Sequence, residues 1–307
     1  MSFVSVIIPT YNRDWFIGDA IKSVLQQTYM DFEIIIVDDG STDKTQERIK
    51  SFFNKKIKYF YKKNGGAASA LNLGIKHSKG KYIARLDSDD IFEPEKLEKQ
   101  VKLLDSNQDI GLVYTQAYNI DENGNILELY PKNHTCPQES LKTLRHFLFP
   151  PSQSIMFRKN CIDKIGYFDE NMPITEDWDF CIRMAQYYQF AYIDEPLVKI
   201  RKHTYMITAN KIETAHAILK VMQKHAKILS MGEGNTWIGQ HYYSLGRIYF
   251  YKRNYQSAKK IFFQALKYDP RSWRNYIFLG LTYLPNFMIE AIRYLKSIIS
   301  TYSHLKK

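Results

Sequence analysis

The chain has 307 residues and carries 43 Lys+Arg against 32 Asp+Glu, a net charge of +11. That length buries a core for one large domain or two small ones, and the 45% hydrophobic and 15% aromatic content excludes a disordered polymer. No run approaches ~18 uninterrupted apolar residues, so no membrane-spanning helix is expected, and the N-terminus lacks the basic and apolar regions of a secretory leader. Three cysteines, Cys136, Cys161 and Cys181, form no metal-ligand spacing and fit reduced thiols in a cytoplasm.

Charge is uneven along the chain. From Ile200 onward there are 18 Lys+Arg against 4 Asp+Glu, a net of +14, and the part before it is slightly acidic at −3. A basic segment on an acidic body implies an anionic partner: a membrane surface, nucleic acid or a phosphorylated acceptor.

Val4-Ser5-Val6-Ile7-Ile8 is a β-branched run ending at Pro9 and predicts a buried first strand, followed by the loop Thr10-Tyr11-Asn12-Arg13. Trp15 to Gln27 has helical spacing. Phe32 to Val37 predicts a second strand that ends in Asp38-Asp39-Gly40-Ser41, with Thr42 or Asp43 capping a helix to Phe53. Ile57–Tyr61 is a short strand before Asn64-Gly65-Gly66, and Ala67–His77 a small-residue helix carrying Asn72. Lys81 to Leu86 is the next strand, ending in Asp87-Ser88-Asp89-Asp90. This alternation predicts a mostly parallel sheet covered on both faces.

The second half is more mixed. A helix is expected over Glu95–Asn107, strands over Gly111–Thr115 and Ser154–Phe157, a hairpin turn at Asp121–Asn125 and a loop over Pro131–Pro137. Thr175-Glu176-Asp177-Trp178-Asp179 opens a helix to Tyr187. Ala191–Ile193 is read as a strand, and Leu197–His203 ends the domain.

Polar residues follow one strand end after another, and in open α/β sheets that edge is where ligands bind. The three acids of 87–90 repel unless a cation joins them, and a hard divalent ion that keeps positions open for phosphates is the natural candidate. The competing reading is an acidic loop in which Asp90 caps the helix beginning at Pro94.

Together these blocks resemble family 2 glycosyltransferases with the GT-A fold over about the first 205 residues. Ser5–Asn12 resembles the opening block, Glu33–Asp43 the nucleotide-binding block, and Asn64-Gly65-Gly66 with Leu71-Asn72 the segment after it. Arg85–Asp90 resembles the DxD metal-binding block, Thr175–Trp178 the block with the catalytic base, and Ile200–His203 the terminal Arg-x-His block. The resemblance implies inverting transfer of a sugar from a nucleoside diphosphate, with UDP expected. Asp89, helped by Asp87 or Asp90, would hold Mg²⁺ or Mn²⁺ against the diphosphate. His203 would be a further ligand or a structural histidine. Asp177 would be the general base, with Glu176, Asp179 and Trp178 raising its pKa and Glu176 and Trp178 on the acceptor side. Asp39 would accept from the base ring with Asp38 nearby, and Pro9, Tyr11 and Arg13 would line the nucleotide pocket, Tyr11 stacking. Arg13 is either a phosphate contact or an exposed arginine, and Asn72 either closes the pocket or lies on a helix surface. Arg85 touches the diphosphate or pairs with Asp87.

The C-terminal region, from residue 206, is expected to be all-α. Thr208–Met231 reads as one amphipathic helix ended by Gly232-Glu233-Gly234. Tyr242-x2-Leu245-Gly246-x2-Tyr249, Ala258, Phe262, Ala265 and Pro270 then follow a tetratricopeptide pattern, with a partial second copy at Tyr276-x2-Leu279-Gly280-x2-Tyr283 and Ala291, over about residues 239–300. So few repeats cannot bury their own apolar faces. The region therefore binds a partner, self-associates or completes the core.

The expected activity is a metal-assisted glycosyltransferase that uses a nucleoside-diphosphate sugar and a polysaccharide or glycolipid acceptor. It is placed in the cytoplasm, peripheral at the inner face of the plasma membrane through its basic C-terminal region. No nucleic-acid motif accompanies the charge, so nucleic acid is not the expected partner. A sugar nucleotidyltransferase is the competing enzyme, disfavoured because Pro9–Arg13 contains no glycine. The non-enzymatic alternative is a scaffold acting through its helices.

Overall fold

The computed structural model describes residues 3–130, 144, 150–203, 210–230, 236–285 and 287–289. The expected loop at Pro131–Pro137, Cys136, the Gly232-Glu233-Gly234 break and Ala291 lie outside them. The chain divides into two compact units, Met1–Ala209 and Asn210–Lys307.

The first unit is built on a nine-stranded sheet. β1 (Val4–Thr10) and β2 (Phe32–Asp38) are buried at every position, as the Val- and Ile-rich runs demand of parallel strands covered on both faces. β3 (Ile57–Tyr61) and β4 (Tyr82–Arg85) flank them in the parallel order β3-β2-β1-β4. Thr10 lies beside Asp38 and Ile7 beside Arg85, so the loops after β1, β2 and β4 emerge at one edge. Between these strands lie α1 (Ile17–Leu25), α2 (Thr45–Lys50) and α3 (Ala67–His77). The small residues of α3 let it sit close to the sheet: a Cβ on Gly74 would lie 2.5 Å from Ile7 Cγ2.

Past β4 the sheet changes character. β5 (Ile91–Phe92) and α4 (Lys96–Ser106) precede the long hairpin β6 (Ile110–Ile120) and β7 (Ile126–Tyr130). A short 3₁₀ turn, Ser152–Ser154, leads into β8 (Met156–Arg158), which runs antiparallel between β4 and β6. This insertion makes the sheet mixed, with parallel order kept in the first half and between β6 and β9. Its direction also carries residues 152–154 to the strand-end edge. After α5 (Ile162–Ile165) and α6 (Glu176–Ala185), β9 runs over Gln189–Arg201, well beyond the expected Ala191–Ile193. The register with β6 shifts around Gln116, opposite Pro196, so the proline sits at an irregularity where its missing N–H is tolerated. β5 pairs antiparallel with the end of β9, bringing the 87–90 loop against residues 199–203.

The second unit is all-α. The expected single helix is instead α7 (Lys211–Lys224) and α8 (Ala226–Ser230), broken at His225. Asn210 caps α7 by accepting from Ile212 N. α9 (Thr236–Tyr251), α10 (Tyr255–Tyr268) and α11 (Trp273–Leu281) pack around Phe250, Ala258, Phe262, Leu279 and Ile289. Gly246 admits Phe262: a Cβ there would meet the ring at 2.6 Å. Among the described residues no helix is long and apolar enough to cross a membrane.

Candidate active site

The first two loops at the edge are bound to each other. Asn12 has φ +51°, a left-handed conformation that asparagine tolerates. Its Oδ1 accepts from Thr42 N at 2.8 Å and its N–H donates to Ser41 Oγ at 2.9 Å. Pro9 is buried in β1, whereas Tyr11 is 46% exposed over the edge. Asp38 is wholly buried and closes its own turn, accepting from Ser41 N and from Tyr59 Oη, both at 2.8 Å. Asp39 faces the glycine loop. Its Oδ1 accepts from Lys62 Nζ at 2.6 Å and Gly65 N at 2.9 Å, and its Oδ2 from Gly66 N at 2.7 Å. Gly66 has φ +89°, which requires glycine.

The three carboxylates of 87–90 diverge. Asp87 accepts from Arg85 Nε at 3.0 Å and from Gln153 Nε2 at 2.6 Å. Asp89 Oδ2 accepts from Arg13 Nε at 3.2 Å and lies 2.9 Å from His203 Nε2. Burial pushes the Asp89 carboxyl up, but the His203 contact and the Arg13 charge outweigh it and hold the group below its ordinary range. Asp90 turns inward and accepts from Arg201 N at 2.8 Å, and burial with the charges of Asp89 and Asp87 raises its pKa well above normal. Arg201 donates from Nε to the Asp89 backbone carbonyl at 3.0 Å and stacks on Phe16, which in turn lies against the His203 ring.

Asp90 thus anchors the junction of the 87–90 loop with β9 through its Oδ1. Asp89 and His203 do meet. Among the described residues no three His, Cys, Asp or Glu side chains gather into a closed metal site. A hard-oxygen carboxylate beside an imidazole fits a divalent cation held by few protein groups, with a diphosphate completing its shell.

The second acidic group arrives on α6. Its first turn carries Glu176 and Asp177, one residue beyond Ile174, whose φ of +74° is strained for a β-branched residue. Arg85 is buried between Asp87 and Glu176, with Nη1 3.2 Å from Glu176 Oε1 as an ion pair without hydrogen-bond alignment. Asp177 accepts from Trp178 N at 2.7 Å and keeps partial exposure. Burial and the Glu176 charge raise its pKa to about 7, against the opposing pull of Arg85.

Two of the expected site residues turn inward. Trp178 is 1% exposed and donates from Nε1 to Leu144 O at 3.2 Å, so its indole packs in the core. Asn72 is buried: its Nδ2 donates to Phe168 O and Glu170 Oε1, and its Oδ1 accepts from Phe168 N, all at 2.9 Å. It ties α3 to the 168–170 segment and does not lie on a helix surface. Lys62 and Gln153 are the residues that sequence reasoning left out, and only the nearness of Lys62 to Asn64-Gly65-Gly66 hinted at either. Arg201 stood in the Arg-x-His block, but its bond to the Asp89 carbonyl did not show there.

Loops from three parallel strand ends thus meet at one edge of an α/β sheet, with carboxylates on both sides of a buried arginine. The chain belongs to glycosyltransferase family 2: residues 5–166 match the model described as Glycosyl transferase family 2. An uncharacterized glycosyltransferase of Rickettsia typhi is 36% identical over 252 residues, 76% of this chain and 77% of that protein. Two solved structures share the fold. S. aureus TarS 1–349 in complex with UDP-GlcNAc has a TM-score of 0.60 at 22% identity, over 72% of this chain and 65% of that one. The mannosyltransferase PcManGT of Pyrobaculum calidifontis, in complex with GDP-Man and Mn²⁺, has a TM-score of 0.55 at 19% identity, over 73% of this chain and 64% of that one.

Proposed function

We propose that the chain transfers a sugar, with inversion, from a UDP-sugar to a hydroxyl of a polysaccharide or glycolipid. The observation that carries this reading is Asp177, with a pKa of about 7 and linked through Glu176 and Arg85 to the Asp87 side of the acid cluster. A base of that pKa is half-ionised near neutrality, where general-base catalysis is most effective. Asp177 takes the acceptor hydroxyl's proton as the oxygen bonds to the anomeric carbon. The bond from that carbon to the diphosphate oxygen breaks on the opposite face, and its electron pair leaves with the nucleoside diphosphate.

Asp89 and His203 would hold a divalent cation, Mn²⁺ or Mg²⁺, which would supply positive charge to the leaving diphosphate. Arg13, already on Asp89, adds a guanidinium beside the phosphates. Tyr11 stacks on the base, Asp39 accepts from its ring N–H, and Pro9 and Asp38 fix the strand ends beneath. Arg85 and Asp87 orient the acidic groups on either side. The neighbours bound to UDP-GlcNAc and to GDP-Man with Mn²⁺ support a nucleotide-sugar donor and a divalent ion. The basic helical region, read as tetratricopeptide-like, meets an anionic membrane surface.

The test is Asp177→Asn. Transfer falls about 10²–10⁴-fold, while UDP affinity measured by calorimetry stays near wild type. Undiminished turnover removes Asp177 from the chemistry.

A further inference from the structure

We propose that Lys62 reads the nucleobase jointly with Asp39 and makes the site selective for bases with an adjacent ring N–H and carbonyl. The proposal rests on the nucleotide-site reading above. The Asp39 carboxylate already receives two backbone N–H groups, from Gly65 and Gly66, so its position does not depend on a lysine. Lys62 nevertheless places its ammonium 2.6 Å from Asp39 Oδ1, held there by a second bond to Lys63 O at 2.7 Å. Gly65 leaves the room: a Cβ on it would lie 2.8 Å from Lys62 Nζ. The Lys62 backbone is fixed by its N–H to Asp38 O at 2.9 Å, which extends the β2–β3 ladder beyond Tyr61. The Lys62 side chain remains 21% exposed against 5% for Asp39, so the ammonium forms the open side of the pair.

A strong donor and a strong acceptor side by side have a defined complement. Lysine only donates and an ionised carboxylate only accepts. Uracil presents N3–H next to O4, and guanine presents N1–H next to O6, so each pairs its N–H with Asp39 and its carbonyl with Lys62. Cytosine and adenine present a bare ring nitrogen next to an amino group. Either of them sets acceptor against acceptor at Asp39 and donor against donor at Lys62. A site whose polar groups are left unpaired by the wrong ligand discriminates more sharply than an apolar one.

The test is calorimetric titration of the full chain with UDP, CDP, GDP and ADP in the presence of Mn²⁺, which compares bases of matched size. The wild-type protein binds UDP over CDP, and GDP over ADP, by roughly tenfold or more. In Lys62→Met the aliphatic stem stays and the donor goes, so both ratios collapse toward one. Lys62→Arg keeps a donor and retains most of the preference. Unchanged ratios in Lys62→Met, or a uniform weakening of all four nucleotides, overturn the role of Lys62 and make it a latch for the glycine loop or a phosphate contact. Absence of binding by every nucleotide to the wild-type protein overturns the nucleotide site itself.

Discussion

Asp177 has a measurable signature in both rate and stability. Its pKa in the folded protein, about 7, lies above the ordinary value of 3.8, because burial and Glu176 disfavour the charge. The folded state therefore binds more protons than the unfolded state between those two values, and its stability falls as pH rises through that window. Asp177→Asn removes the liability. The variant's melting temperature relative to wild type is expected to be higher at pH 8 than at pH 4, where both proteins are uncharged at this position. Transfer by the wild-type enzyme should rise with pH on a limb centred near 7, which a pH profile of kcat/KM reads directly. Arg85 sets the same group from the other side. Arg85→Met leaves the buried Glu176 and the half-buried Asp87 without their cation, which is expected to cost about 3–5 kcal/mol in urea denaturation. In any folded fraction the activity limb should move to higher pH, since the charge that lowers the Asp177 pKa is gone.

At the scale of elements, what the sequence displays depends on how local the cause is. The strand-end acids were legible because a parallel sheet aligns its C-terminal ends, and Asp39, Asp87 and Asp89 each follow a buried run. The neighbours of those acids were not, because distant segments supply them. Gln153 reaches Asp87 only because β8 runs antiparallel beside β4, and Arg201 reaches the Asp89 carbonyl only because β5 pairs with β9. Asp90 and Trp178 sit inside motifs whose adjacent members face the site, yet a strand end or helix turn sends consecutive side chains in different directions. In the second unit the spacing of Gly246 and Phe262 was visible as a repeat pattern, and the structure gives it a steric cause. Gly246→Ala forces a methyl into the Phe262 ring, and overpacking of this kind costs about 1–3 kcal/mol. Helical signal from the second unit should be lost at lower temperature, with UDP affinity unchanged.

For the molecule as a whole, the charge split at about Ile200 nearly coincides with the structural split at 209/210. The body and the helical unit thus differ in electrostatics as well as in architecture. If the helical unit meets an anionic bilayer, the full chain should co-sediment with vesicles containing phosphatidylglycerol and be released by a few hundred millimolar salt. Residues 1–209 alone should stay in the supernatant while still binding UDP. Equal sedimentation of the two would assign the membrane contact to the catalytic unit.

Ile174 carries a lesson for anyone who engineers this enzyme for robustness. A glycine would adopt its φ of +74° without penalty, and releasing such strain is worth of order 1–3 kcal/mol. A screen for heat tolerance would therefore favour Ile174→Gly among its early hits. The same change frees the backbone just before the turn that bears Glu176 and Asp177, so the hardier protein should be the slower catalyst.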